Sequence, residues 1–244
     1  LKMTRLVFVF CVAASVAAAQ MLFPKPMPLP DNVIQAMAAQ ESARRPSSDS
    51  KVCIDTNFRH CQANLNIVLG LPDTTSWKDA DLLSATITDL VNSNVTEVLK
   101  LCDARAKFQQ CLGAQYFSCV SLYNLIGKPG ADVHNAYAYV EALTSFEFLC
   151  NAGFETAVND YDCLKFMTLG PEYGQCIQTF NATINRDPQA TCTAVQLAGG
   201  CINRAYAMHC PKDVNAAGWY GCEMFRNSWE KMCWEKPRCF VHHL

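Results

Sequence analysis

The chain contains no Gly-x-Ser-x-Gly run, no His-Glu-x-x-His run and no two adjacent cysteines. The first absence removes the strained turn that exposes an esterase serine, and the second removes the helical zinc-ligand pair common in metalloproteases. The third removes the Cys-Cys pair beside a histidine base that a small helical secreted phospholipase needs. The single glycine pair, Gly199-Gly200, is too brief for the calcium loop of such an enzyme. Charge is sparse too, at 17% of residues, and the five histidines are scattered. That distribution leaves no electrostatic footprint for nucleic acid or an anionic membrane. After residue 19 no apolar run approaches the ~20 residues that cross a bilayer, so no stable membrane insertion is expected.

Cysteine, by contrast, is abundant: fifteen in 244 residues. The first, Cys11, lies in a segment laid out like a secretory signal peptide. Arg5 gives it a basic start, Leu6 to Val16 an apolar core too short to span a membrane, and Ala17-Ala18-Ala19 a small-residue cleavage site. Removal of residues 1–19 leaves 225 residues, with 18 basic and 22 acidic side chains. It also leaves an even set of cysteines, Cys53, Cys61, Cys102, Cys111, Cys119, Cys150, Cys163, Cys176, Cys192, Cys201, Cys210, Cys222, Cys233 and Cys239. An even set in an exported chain predicts a fully paired disulfide framework. The expected address is secreted and extracellular. The sequons Asn94-Val95-Thr96 and Asn181-Ala182-Thr183 agree with it, making Asn94 and Asn181 the candidate N-glycosylation sites.

The zinc alternative is weaker. Tight, repeated Cys-x₂₋₄-Cys spacings do not occur, and a thiol oxidised to cystine is no zinc ligand, despite His60, His209, His242 and His243 nearby. No metal and no cofactor is expected.

Four segments follow from composition. Residues 1–19 are the signal and 20–52 a Pro-rich, polar, flexible leader. Residues 53–239 form the cysteine-rich domain, and 240–244 a tail without a lipid-anchor signal. In the leader, prolines alternate from Phe23 to Pro30, a short helix is open from Asp31 to Ala39, and Arg44-Arg45 is followed by Pro46, which disfavours dibasic cleavage.

The body shows helical periodicity and no useful strand alternation, so the fold class is all-α, a disulfide-stapled multi-helix bundle. Ser76 reads as an N-cap, with Leu82, Leu83, Ile87, Leu90, Val91, Val95, Val98 and Leu99 facing a core. A second helix, from near Asp103, is expected to run through Ser118 to Ile126 until Gly127-Lys128-Pro129-Gly130 stops it. Asp132 can cap a third, with Val133, Ala136, Tyr137, Val140, Leu143 and Leu149 inward. Further helices are expected over 154–166, 174–185, 192–209 and 219–234. If Cys111 and Cys119 share one helix they lie about 12 Å apart along it, beyond disulfide reach, so each must bridge to a neighbour.

An internal echo exists. Cys102, Cys111-Leu112, Tyr116 and Cys119 parallel Cys192, Cys201-Ile202, Tyr206 and Cys210. Two related helical halves, or two helices that solve one packing problem alike, both account for it.

Asp160 and Asp162 flank Tyr161 and suit a solvated turn better than a catalytic carboxylate pair. Trp219-Tyr220, Phe225, Trp229 and Trp234 suit a core between cystines better than a ligand platform, since Trp229 and Trp234 point about 140° apart on a helix.

The run Cys102, Phe108, Cys111-Leu112, Tyr116, Cys119, then Phe148-Leu149-Cys150-Asn151-Ala152-Gly153-Phe154 and Tyr161-Asp162-Cys163, resembles nematode-type secreted cysteine-rich domains. The nearest likeness is to the chondroitin proteoglycan 4-like family. The resemblance extends over about 53–239 and implies an extracellular helical module with no catalytic residues to transfer. Glycosaminoglycan attachment is not carried over, because no serine here is followed by glycine.

The expected function is therefore that of a secreted, non-enzymatic, disulfide-rich protein, a monomer acting as an extracellular binding or structural component. Its expected partner is an extracellular protein or glycan. The alternative is a carrier holding a lipid or other small apolar ligand between helices. An apolar cavity lined by Phe146, Phe148, Phe166 or Phe180 would favour the carrier, and a polar cleft joining His134 or His209 to a carboxylate would favour catalysis.

Overall fold

The computed structural model describes residues 22–23, 27, 29–43, 52–166, 171–210, 214–233 and 238–239. The expected signal peptide 1–19, with Cys11, and the tail 240–244 lie outside the described residues, as do Trp234 and the side chain of Phe166. Among the described residues the fold is all-α, with no strand. Its helices are α1 (Asp31–Ala43), α2 (Asp55–Leu69), α3 (Ala80–Val91), α4 (Val95–Leu112), α5 (Tyr116–Cys119), α6 (Leu122–Ile126) and α7 (Val133–Cys150). They continue with α8 (Phe154–Asn159), α9 (Tyr161–Phe166), α10 (Pro171–Arg186), α11 (Thr191–His209), α12 (Val214–Asn227) and α13 (Glu230–Cys233).

All fourteen cysteines from Cys53 onward pair, and the pairing repeats. In the first unit Cys53 joins Cys119, Cys61 joins Cys111 and Cys102 joins Cys150. In the second, Cys163 joins Cys210, Cys176 joins Cys201 and Cys192 joins Cys233. Ordered along each unit, the six cysteines connect first to fifth, second to fourth and third to sixth in both. Cys222–Cys239 is an addition to the second unit. No bridge crosses between 53–150 and 163–239. Matched connectivity joins matched packing: α2 lies on α4 and α4 on α7, as α10 lies on α11 and α11 on α12. Aromatic side chains follow the register, since Tyr116 and Tyr206 are both buried, and Phe146 and Trp229, each four residues before the last cysteine of its unit, are wholly buried. The connectivity favours two related halves, because similar packing of one helix alone does not dictate three equivalent partners.

Helix boundaries differ from the sequence reading where single residues break the periodicity. Ser76 does cap, but it caps a short 3₁₀ turn, Trp77–Asp79, in a capping box with Asp79. Asn94 then starts a new helix by accepting from Glu97 N at 3.0 Å, so the expected stripe is two stripes in different phase. Leu83, Ile87, Val91 and Val98 are wholly buried, whereas Leu82 and Leu99 are exposed. Gly113, at φ 52°, ends α4, a conformation other residues seldom adopt. Cys111 and Cys119 thus stand on separate helices, and their partners lie on and just before α2. Asp132 caps α7 through His134 N at 3.0 Å.

The described part of 20–52 is not a loose leader. Leu22 and Phe23 are wholly buried, Phe23 meets Phe146 edge-on, and α1 buries Val33, Ile34, Met37 and Ala38 against the body. Those four positions form one helical stripe that the polar, proline-rich average of the segment conceals. Residues 44–50 lie outside the described residues.

Close approach explains the tightest packing. A Cβ on Gly221 of α12 would meet the Tyr206 ring of α11 at 2.4 Å, so the absence of a side chain lets these helices pack. Phe180, Phe225 and Trp229 then cluster, with Phe180 at 5.0 Å from Trp229 and 5.3 Å from Phe225. Most of the aromatic-rich C-terminal region is core, with Trp219 partly buried at its edge.

Candidate functional site

α10 and α11 run side by side, pinned by Cys176–Cys201, and between them lies an open groove with a volume of about 430 Å³. That volume is in the range of small-molecule sites, roughly 300–1,000 Å³. The groove exists because α11 turns Ala194, Ala198 and Ala205 toward it while Phe180 forms its floor. Leu197 and Met208 line it and remain 71% and 60% exposed, a large apolar investment in contact with water. Of the polar lining residues, Glu172, Gln175 and Arg204 lie toward the start of α10 and the end of α11, because the two helices are antiparallel about the cystine, and Thr179 and Thr183 follow further along α10.

The related first unit carries larger or charged residues at the equivalent positions. Six residues after its third cysteine stands Phe108, buried and edge-on to Tyr116 at 6.1 Å, where the second unit has Ala198. Five residues after that cysteine stands exposed Lys107 where the second unit has Leu197. One unit has its helix pair filled and charged at these two positions. The other has it hollow and apolar.

A second concavity, of about 360 Å³, lies beside α2 and is lined by charged residues, Asp55, Arg59, Asp73, Lys78 and Lys128, together with the aromatic rings of Phe58 and Trp77. Lys128 pairs with Asp55 across it. Its inner wall is already satisfied, since Gln62 donates to Asn66 at 2.8 Å and accepts from Tyr139, and Asn66 donates to Thr75 O at 2.8 Å.

Two polar clusters, the first half-exposed at Glu147 and the second buried, escape the sequence reading. In the first, the Arg105 guanidinium is 3.1 Å from Glu147, and the Tyr116 hydroxyl donates to the same carboxylate at 3.3 Å. Burial, reinforced by Glu147, pushes the Tyr116 phenol up to about 12. An arginine on the inward stripe of α4 was the available signal. In the second, Glu141 is buried on α7 and accepts from Met27 N at 3.1 Å. Burial lifts its carboxyl to about 7, although the Met27 N–H bond and the neighbouring hydroxyls of Ser228 and Tyr137 oppose the shift.

The remaining expected residues fall as follows. Phe146 and Phe148 are core residues, and of the four phenylalanines named for a cavity, Phe180 alone among those described lines the groove. His134 meets Asp31 at 2.6 Å on the exposed seam between α7 and α1, and His209 is 4.0 Å from Glu172 at the polar end of the groove. Asp160 is buried at the end of α8 instead of forming a solvated turn, because the backbone re-enters a helix at Tyr161, whose hydroxyl donates to Val91 O at 2.9 Å. Asp162 is exposed. Asn94 is exposed, and its Oδ1 is engaged in the cap while Nδ2, the glycan-accepting atom, faces Ser93 Oγ at 3.4 Å. Asn181 is half-buried on α10. Among the described residues no group of three metal-ligating side chains converges, and no helix is long and apolar enough to cross a membrane.

No family model, curated protein or solved structure matches the chain.

Proposed function

We propose that this is a secreted, monomeric, non-enzymatic protein that acts outside the cell by binding. The observation that carries the reading is the framework: seven cystines organise two helical units around a core whose largest aromatics are wholly buried. Cystines persist in oxidising compartments, and each long-range bridge contributes ~2–4 kcal/mol by restricting the unfolded chain. Such a frame holds a surface shape without relying on a metal or a partner. The likeness of its cysteine spacing to chondroitin proteoglycan 4-like extracellular domains supports the same address, and glycans on Asn94 and Asn181 belong to it. His134 and His209 stand on different units, each with a single carboxylate neighbour, which supports a binding role over a catalytic one.

The carrier of a small apolar ligand is the second reading, and the groove between α10 and α11 favours it. Native mass measurement of the protein recovered from the medium of a secreting eukaryotic host tests both. Secretion with no free thiol is expected for the extracellular reading, and retention inside the cell with reduced cysteines contradicts it. A retained apolar molecule is the result expected of the carrier.

A further inference from the structure

We infer that the groove between α10 and α11 is a site for a single-chain aliphatic carboxylate, its head held by Arg204 and its chain laid along Phe180, Leu197 and Ala198. The inference rests on the carrier reading and gives it a ligand class.

Three observations carry it. First, the groove is a departure from a filled precedent in the same molecule, since Phe108 and Lys107 of the first unit correspond to Ala198 and Leu197. Second, the lining is graded along its length. From Ala194 to Arg204 the helix rises about 15 Å, so a head at Arg204 leaves a track of that length whose α11 side is apolar. On the α10 side Thr179 and Thr183 also line it, the Thr183 hydroxyl donating to Thr179 O at 2.8 Å. Third, the cation at the polar end has no ion-pair partner among the described residues. Arg204 is exposed and forms no ion pair among the described residues, whereas Glu172, the carboxylate at the same end, faces His209 at 4.0 Å. A guanidinium offers paired donors that match a carboxylate, and Gln175 lines the same end of the groove. A cationic head would place like charge on Arg204, and a bulky ring system would not follow a track floored by one helix pair.

The experiment uses the full oxidised protein as secreted, with dodecanoate and dodecyltrimethylammonium as probes in titration calorimetry. Saturable binding of dodecanoate, with the ammonium bound at least about tenfold more weakly, is expected. Arg204→Glu should weaken dodecanoate by roughly three- to tenfold and narrow or reverse that preference. Ala198→Phe, which copies the first unit, should abolish measurable binding. Leu197→Ser, at an exposed position where folding is not at risk, should weaken it about tenfold. Binding unchanged by both groove variants overturns the site, and equal affinity for the two probes overturns the role of Arg204. No dodecanoate binding, with another apolar molecule retained in the native mass, overturns the ligand class and leaves the carrier standing. No dodecanoate binding and no retained molecule overturns both.

Discussion

Tyr220 donates its phenolic hydroxyl to the backbone carbonyl of Leu22 at 2.6 Å, with both residues wholly buried and 198 positions apart. The bond joins the first described residue to α12 of the second unit and makes the N-terminal segment part of the core. Burial keeps the phenol far above its usual titration range, so the bond persists at any pH the fold tolerates. Tyr220→Phe leaves that carbonyl buried without its donor and should cost about 1–3 kcal/mol. Urea denaturation of the oxidised protein measures it, and proteolysis near residue 22 should accelerate in the variant.

Glu141 holds the same segment through Met27 N and titrates. Its folded value near 7 lies above the ordinary 4.5, so between them the folded chain retains a proton that the unfolded chain has released. Stability from this group is complete below pH 4.5 and is lost as pH rises through 7. The loss is on the order of 3 kcal/mol. Glu141→Gln should be nearly insensitive over this interval, and the difference between the two urea-stability profiles from pH 4.5 to 8 isolates the group.

The equivalent bridges Cys61–Cys111 and Cys176–Cys201 permit an internal comparison, because they close loops of 50 and 25 residues. If restriction of the unfolded chain dominates, removing the longer one should cost about 0.6 kcal/mol more. Paired Cys→Ala variants in chemical denaturation supply the two values. A larger loss from the shorter bridge assigns the stabilisation to native packing around the groove.

Asn94 serves a helix cap and a sequon at once. Thr96→Ala abolishes the acceptor sequence and preserves the cap, so it should lower the mass of the secreted protein with little change in stability. Asn94→Ala removes both and should cost about 1 kcal/mol more. Mass spectrometry and thermal denaturation of the two variants separate the roles.

Fold class was legible because apolar residues recur at threes and fours through Leu83, Ile87 and Val91, and because spaced cysteines need neighbouring helices. The echo of Cys102, Cys111 and Cys119 in Cys192, Cys201 and Cys210 pointed to the repeat, but spacing alone names no partners. Connectivity depends on which helices meet, and that is decided by distant packing such as Tyr206 against Gly221. Docking of residues 22–43 was hidden because its apolar stripe is short and diluted by proline and polar neighbours. The groove was hidden for a different reason: Ala198 in a helix reads as an ordinary core residue until Phe108 of the related unit shows what could have stood there.

Disulfide mapping of the secreted, unreduced protein by peptide mass spectrometry tests the two-unit account most directly. The expected result is no free thiol, with the first-to-fifth, second-to-fourth and third-to-sixth pattern found twice and Cys222 joined to Cys239. A bridge linking any cysteine of 53–150 to one of 163–239, or free thiols among these fourteen, would contradict it.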